Sequence, residues 1–215
     1  MITEELKQYL EGLISKRSPE VEQMENEAEQ NNVPIMDLIG MEALLQIVRI
    51  HQPKRILEIG TAIGYSAIRI SQALNESHLV SVERDSERYT QAIQNISKVG
   101  LNGKISVLEG DALERVESIE KEGPYDFIFI DAAKGQYERF FEAFEKMLVP
   151  GGVIISDNVL FRGFVSKRDE EIDSRRFRKL THKIRNYNEF LMNQTDFQST
   201  ILPVGDGMAI SIKKV

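Results

Sequence analysis

Apolar residues along this chain change their spacing in a way that marks out its elements. Residues 3–16 and 19–31 carry apolar positions at helical intervals among many charges, with Thr3 placed to cap the first helix and Ser18-Pro19 to open the second. Leu6, three residues after Thr3, completes no capping box. After the loop "NNVPI", Leu38, Met41, Leu44, Leu45 and Val48 recur at helical spacing over 37–51 and present one stripe to a core. From residue 55 short apolar runs alternate with helical ones. "RILEIG", "HLVSVE", "ISVLEG", "YDFIFID" and "GGVIISD" read as strands, separated by the helices "YSAIRISQAL", "ERYTQAIQNISKVG", "ALERVESIEKE" and "ERFFEAFEKML". Strands that are apolar throughout, each followed by a helix, predict an α/β fold with a mostly parallel sheet covered on both faces. Residues 173–190 predict one more helix, with Phe177, Leu180 and Ile184 inward, and "DFQSTILPVGDGMAISIKKV" predicts a hairpin turned at "PVGDG".

Composition narrows this picture. At 41% hydrophobic and 28% charged residues, the 215-residue chain reads as one domain, 1–215, with residues 1–32 as a helical extension. There is no cysteine and the three histidines lie far apart, so disulfides and thiolate metal sites are excluded and any metal must be held mainly by oxygen. The N-terminus is acidic and amphipathic, and no run approaches the roughly 18 apolar residues of a membrane span, which predicts a cytoplasmic protein with no membrane partner. A net charge of −7 opposes global attraction to nucleic acid and leaves room for a local basic patch.

Parallel sheets bind ligands beyond the carboxyl ends of their strands, so the residues after each strand carry the candidate chemistry. "LEIGTAIGYSA" supplies Glu58, Gly60, Gly64 and Ser66. Its glycines suit a close backbone approach by a ligand, although Ala62 stands between them and the three-glycine dinucleotide fingerprint is absent. Glu83, ending "VSVE" about 20 residues on, is placed to accept both hydroxyl protons of a ribose; Asp85 is a ligand or a helix cap. Asp111 and Ala112 in "EGDAL" could meet an adenine edge, or Asp111 could cap a helix. Three such strand ends together predict an adenine nucleoside site. Two further strand ends exceed what nucleoside binding needs: Asp131 and Lys134 in "FIDAAKG", and Asp157 and Asn158 in "IISDNVLFRG". They are either an ion pair and a turn, or a converging set of hard oxygens suited to Mg²⁺; two carboxylates buried together favour the cation.

The set "EIGTAIGYSA", "VERD", "GDA", "DFIFIDAAKGQY", "ISDNVLFRG" and "LPVGDGMAISI" resembles the cation-dependent, S-adenosylmethionine-using O-methyltransferases of the catechol and caffeoyl-CoA type, from about residue 34 to the end. The resemblance implies a Rossmann-like methyltransferase fold: a mostly parallel seven-stranded sheet with a C-terminal antiparallel strand, helices on both faces and an N-terminal helical extension. It implies S-adenosylmethionine and Mg²⁺ as cofactors, Asp131, Asp157 and Asn158 as metal ligands, and Asp131 and Lys134 in catalysis, Lys134 acting on the acceptor hydroxyl. It adds Pro34, Met36 and Met41 to the cofactor-binding set of Glu58, Gly60, Gly64, Ser66, Glu83, Asp111, Ala112 and Asp131, and it implies a homodimer. One departure alters the acceptor pocket: Phe161 stands where many members carry Trp after "DN".

The stretch after the metal pair is rich in Arg and Lys, including Arg162, Arg175, Arg176, Arg178 and Lys179. It is either a solvated helix face or a phosphate-contacting patch. Taken with the resemblance, which is strongest to the bacterial branch acting on 5-hydroxyuridine at the tRNA wobble position, it makes Phe161 and these five cations candidate substrate contacts and the tRNA anticodon loop the expected partner. A small catechol or hydroxycinnamate acceptor is the alternative. A non-catalytic nucleoside-binding domain or a dinucleotide oxidoreductase is the remaining one, and the imperfect glycine turn and the Asp131, Lys134, Asp157 and Asn158 set speak against it. The N-terminal helices either cover the acceptor pocket or form the dimer surface.

Overall fold

The computed structural model describes residues 3–215. Helices α1 (Glu4–Leu13), α2 (Pro19–Gln30) and α3 (Leu38–His51) precede β1 (Arg55–Ile59), α4 (Tyr65–Gln72), β2 (His78–Glu83), α5 (Ser86–Lys98), β3 (Ile105–Glu109) and α6 (Val116–Lys121). Then follow β4 (Tyr125–Ile130), α7 (Tyr137–Phe144), β5 (Leu148–Ser156), α8 (Arg175–Met192), β6 (Phe197–Leu202) and β7 (Met208–Lys213). The strands form one sheet of order β3-β2-β1-β4-β5-β7-β6. β1 to β5 pair in parallel, β7 runs antiparallel between β5 and β6, and the expected hairpin is the β6–β7 pair. Strand order reverses between β1 and β4, so their carboxyl ends flank the crevice where such sheets bind ligands.

Two core layers follow from the twofold alternation along the strands. Ile56, Phe127, Phe129 and Ile155 face one side, against Leu44, Leu45 and Val48 of α3 and Ile68 of α4. Leu57, Ile59, Ile128, Ile130 and Ile154 face the other, against Phe140, Phe141 and Phe144 of α7 and Tyr187 and Leu191 of α8. The predicted caps form as expected: Thr3 Oγ1 accepts from the Leu6 N–H, and Ser18 caps α2 with Pro19 at its first position. α2 docks through Val21, Met24 and Ala28 and through ionic contacts around the buried Arg69 of α4. There Arg69 donates to Glu42 at 2.5 Å and to the Tyr65 hydroxyl at 3.0 Å, Tyr65 donates to Glu25 at 2.8 Å, and Arg17 donates to Glu25 at 2.7 Å.

Three elements differ from their sequence patterns. The predicted helix at 112 starts only at Val116, because Asp111 folds 111–115 into a turn: its side chain accepts from the Leu113 N–H and its carbonyl from Glu114 and Arg115. β5 begins at Leu148 instead of Gly151, since a register irregularity between Tyr125 and Phe127 lets Leu148 join the ladder ahead of Pro150. Phe177, expected inward, is 40% exposed, because its ring packs on Phe161 and Phe164 of the loop after β5 and not in the core; Ile184, Tyr187 and Leu191 make the buried stripe. Among the described residues no helix is long and apolar enough to cross a membrane.

Candidate active site

The glycine turn after β1 sets the cleft. Gly60 has φ +102°, and a Cβ on it would overlap the Asp131 carbonyl oxygen, so only glycine lets the β1 and β4 ends approach this closely. Gly64, with φ +86°, opens α4 without a side-chain cap. The cleft that results is walled by Gly60, Glu83, Asp111, Ala112, Ala133 and Phe140 among others. Three of the strand ends singled out in the sequence therefore meet in one place. Glu83 is positioned by its backbone partners, Oε2 accepting from the Ala62 N–H at 2.7 Å and Oε1 from the Asp85 N–H at 2.9 Å. Asp85 is the cap of α5, accepting from Glu87 and Arg88.

Other members of the expected cofactor set lie beneath this surface. Glu58 is wholly buried, accepting from Ser66 at 2.5 Å and from Ser81, and the Thr61 hydroxyl bonds Ser81 in turn. Burial pushes the Glu58 carboxyl up to about 7, against the pull of the two serine hydroxyls. Glu58 and Ser66 thus brace the turn from below. Met41 is fully enclosed in the core; Met36 is buried and Pro34 exposed on the loop into α3.

Beside the cleft, the ends of β4 and β5 bring Asp131, Lys134, Asp157 and Asn158 together. Asp157, only 4% exposed, has its carboxyl raised, first by burial and then by the neighbouring Asp131; burial raises Asp131 as well, and Lys134 draws it back down. Lys134 makes no ion pair with Asp131. Its ammonium donates to Asn158 Oδ1 at 2.5 Å and lies 3.9 Å from Asp206 Oδ2, with burial lowering its pKa and the three surrounding carboxylates opposing that. Asn158, held at φ +57°, turns its amide N–H₂ to Asp157 Oδ2 at 3.0 Å, which leaves Oδ1 facing Lys134. No group of three or more His, Cys, Asp or Glu side chains disposed to hold a metal occurs among the described residues. The set here is two carboxylates and an amide oxygen, and two crowded, buried carboxylates beside a third hard oxygen fit a small divalent cation.

Two supports were not legible as site residues. Tyr137 donates its hydroxyl to the Asp157 carbonyl at 3.0 Å, fixing the end of β5 from α7. Asp206, at the hairpin tip, accepts from the Arg162 N–H and faces Lys134, while its carbonyl accepts from the Leu160 N–H. An aspartate between two glycines was the available signal. Phe161 and Arg162 both sit at positive φ, a conformation this contact stabilises. Phe161 lies beneath the Lys134 ammonium, 5.9 Å from ring centroid to Nζ. Arg175, Arg176 and Lys179 are exposed on the first turns of α8 and Arg178 is half-buried; α8 packs against both short helical segments that carry Lys134 and Phe161.

Comparison with known proteins gives this arrangement its family. A statistical description of the O-methyltransferase family matches residues 13–214, and the chain belongs to that family. A catechol O-methyltransferase of Niastella koreensis is 30% identical, over 99% of this chain and 98% of its own. Among solved structures, a Staphylococcus aureus chain provisionally assigned as a caffeoyl-CoA O-methyltransferase superposes with a TM-score of 0.91 at 38% identity, covering 96% of this chain and 98% of its own. A Bacillus cereus O-methyltransferase in complex with SAH gives 0.83 at 30% identity, covering 97% of each chain.

Proposed function

We propose that this chain is an S-adenosylmethionine- and Mg²⁺-dependent O-methyltransferase that converts 5-hydroxyuridine at the tRNA wobble position to 5-methoxyuridine. Cofactor use is supported by the cleft at the ends of β1, β2 and β3 and by the SAH complex of the Bacillus cereus relative. In this reading Glu83 grips the ribose and Asp111 and Ala112 border the adenine, while Asp131, Asp157 and Asn158 hold the cation. When bound, the cation favours the ionised form of an acceptor hydroxyl, and S-adenosylmethionine offers that oxygen an electrophilic methyl. Lys134 removes the hydroxyl proton at Nζ, and burial, by lowering its pKa, raises the fraction of neutral amine that can do so. Asn158 Oδ1, which accepts from the Lys134 ammonium, would be the amide oxygen available to hold the cation. Gly60 and the Phe161 wall align the partners, and alignment of this kind contributes roughly 7–11 kcal/mol in favourable cases.

The observation that carries the RNA acceptor is the segment 162–185. It holds nine Lys and Arg against four Asp and Glu in a protein of net charge −7, and it abuts Lys134. A second reading, methylation of small catechols, is supported by the Niastella koreensis relative. Transfer of labelled methyl groups to tRNA bearing 5-hydroxyuridine and to catechol, each with and without chelator, tests both. Chelator-sensitive transfer to the tRNA is expected; transfer to catechol alone would replace the RNA reading with the second. A homodimer is supported by Leu6, Tyr9 and Leu13, which leave one face of α1 apolar and 44–65% exposed.

A further inference from the structure

Phe177 takes no part in the chemistry above, yet it lies within reach of it. Its ring meets Phe161 at 5.7 Å between centroids and 76° between planes, and Phe164 at 5.7 Å and 59°. Phe161 and Phe164 close the triangle at 5.3 Å, and the Lys167 ammonium lies 4.9 Å from the Phe164 centroid. An unbroken run of aromatic rings therefore leads from beneath the Lys134 amine to the surface, where Phe177 is 40% exposed. Its surroundings are cationic. The ionic contacts of this segment engage Arg168 with Glu171 and both Arg185 and His182 with Asp169, leaving Arg162, Arg175, Arg176 and Lys179 outside any ion pair among the described residues. A second copy of the chain docking the same patch to itself would set these cations against one another. A planar ring joined to a phosphate matches both features, since any base offers a π face and phosphate meets unpaired Arg and Lys.

We infer that Phe177 is a stacking platform for an unreacting nucleobase adjacent to the one methylated, with the connecting phosphates lying against Arg175, Arg176 and Lys179. This rests on the RNA reading and adds to it a binding site for a second nucleotide.

The test uses the enzyme with S-adenosylmethionine and Mg²⁺ and compares four acceptors. They are an anticodon stem-loop carrying 5-hydroxyuridine, the same stem-loop made abasic at either neighbouring nucleotide, and catechol as an acceptor without a neighbour. Phe177→Ala should raise KM for the intact stem-loop about tenfold or more while kcat stays within about twofold. It should leave KM for catechol unchanged, and Phe177→Trp should restore stem-loop KM. For the wild type, one of the two abasic stem-loops should show the same rise in KM, and on that acceptor Phe177→Ala should add nothing. Equal losses on stem-loop and catechol, or abasic and Phe177→Ala effects that multiply, would overturn the platform while leaving the RNA reading standing. A wild type that methylates catechol and not the stem-loop would overturn both.

Discussion

Burial at single carboxyl groups gives this protein both its proposed chemistry and a measurable cost. For Glu58 the sign follows from a folded pKa of about 7 against an ordinary 4.5. Between those values the unfolded chain gives up the proton that the folded chain keeps, so stability falls as pH rises through this window and levels off above about 7. Glu58→Gln should remove that slope: the gap between wild type and variant in urea melts should change by on the order of 1–3 kcal/mol from pH 4.5 to pH 7. Parallel curves would mean that Glu58 is ionised in the fold. At the neighbouring acidic pair the expected outcome concerns activity. Asp157→Ala should abolish chelator-sensitive transfer while leaving the dissociation constant for S-adenosylmethionine within a few fold, because Asp157 lies outside the residues lining the nucleoside cleft. Lys134→Ala should lower kcat more than it weakens cofactor binding. Full activity of Asp157→Ala with chelator present would remove the metal from the mechanism. Asp131, Lys134, Asp157 and Asn158 could be singled out in the sequence because each follows an apolar strand directly. Asp206 could not, because it reaches Lys134 only after the hairpin folds back across the long stretch of chain between them.

Among the elements, α2 is held by a small apolar contact and a charged one. Arg69 is the hub of the charged one, 7% exposed, with Glu42 and Glu25 as its partners. Arg69→Ala leaves two partly screened carboxylates and the Tyr65 hydroxyl without their cation, and the expected loss is about 2 kcal/mol or more in urea unfolding. Limited proteolysis should then cut first between α1 and α2. Unchanged stability would place the hold on α2 in Val21, Met24 and Ala28 alone. The helices and strands were largely readable because periodicity and caps agree at Thr3, Ser18 and along β1 to β5. The pattern overextends α6 because helical spacing from Ala112 onward says nothing of the Asp111 side chain competing for the same backbone N–H groups. Phe177 departs from its pattern for another reason: spacing tells which face a residue shares, and it does not tell where the underlying core stops.

For the whole molecule, charge is unevenly distributed. The cations of 162–185 sit beside the site while the remainder of the chain carries the acidic excess. Affinity for tRNA should therefore fall steeply with salt, and Arg175→Gln with Arg176→Gln should flatten the log–log slope by roughly one unit for each phosphate that is no longer neutralised. Affinity for catechol should vary little across the same salt series. A tRNA affinity independent of salt would return the segment to an ordinary solvated surface.

The turn between β6 and β7 touches only one half of the site. Asp206 braces the Phe161–Arg162 loop and faces Lys134, and a Cβ on Gly205 would come 2.6 Å from Asp37 at the start of α3. The strand that follows this turn, β7, inserts between β5 and β6. The nucleoside cleft is lined by residues from Ile59 to Phe140 and by none of this turn. A change at Gly205 or Asp206 should therefore disturb the surroundings of Lys134 and spare the cofactor cleft, separating the two halves of the site.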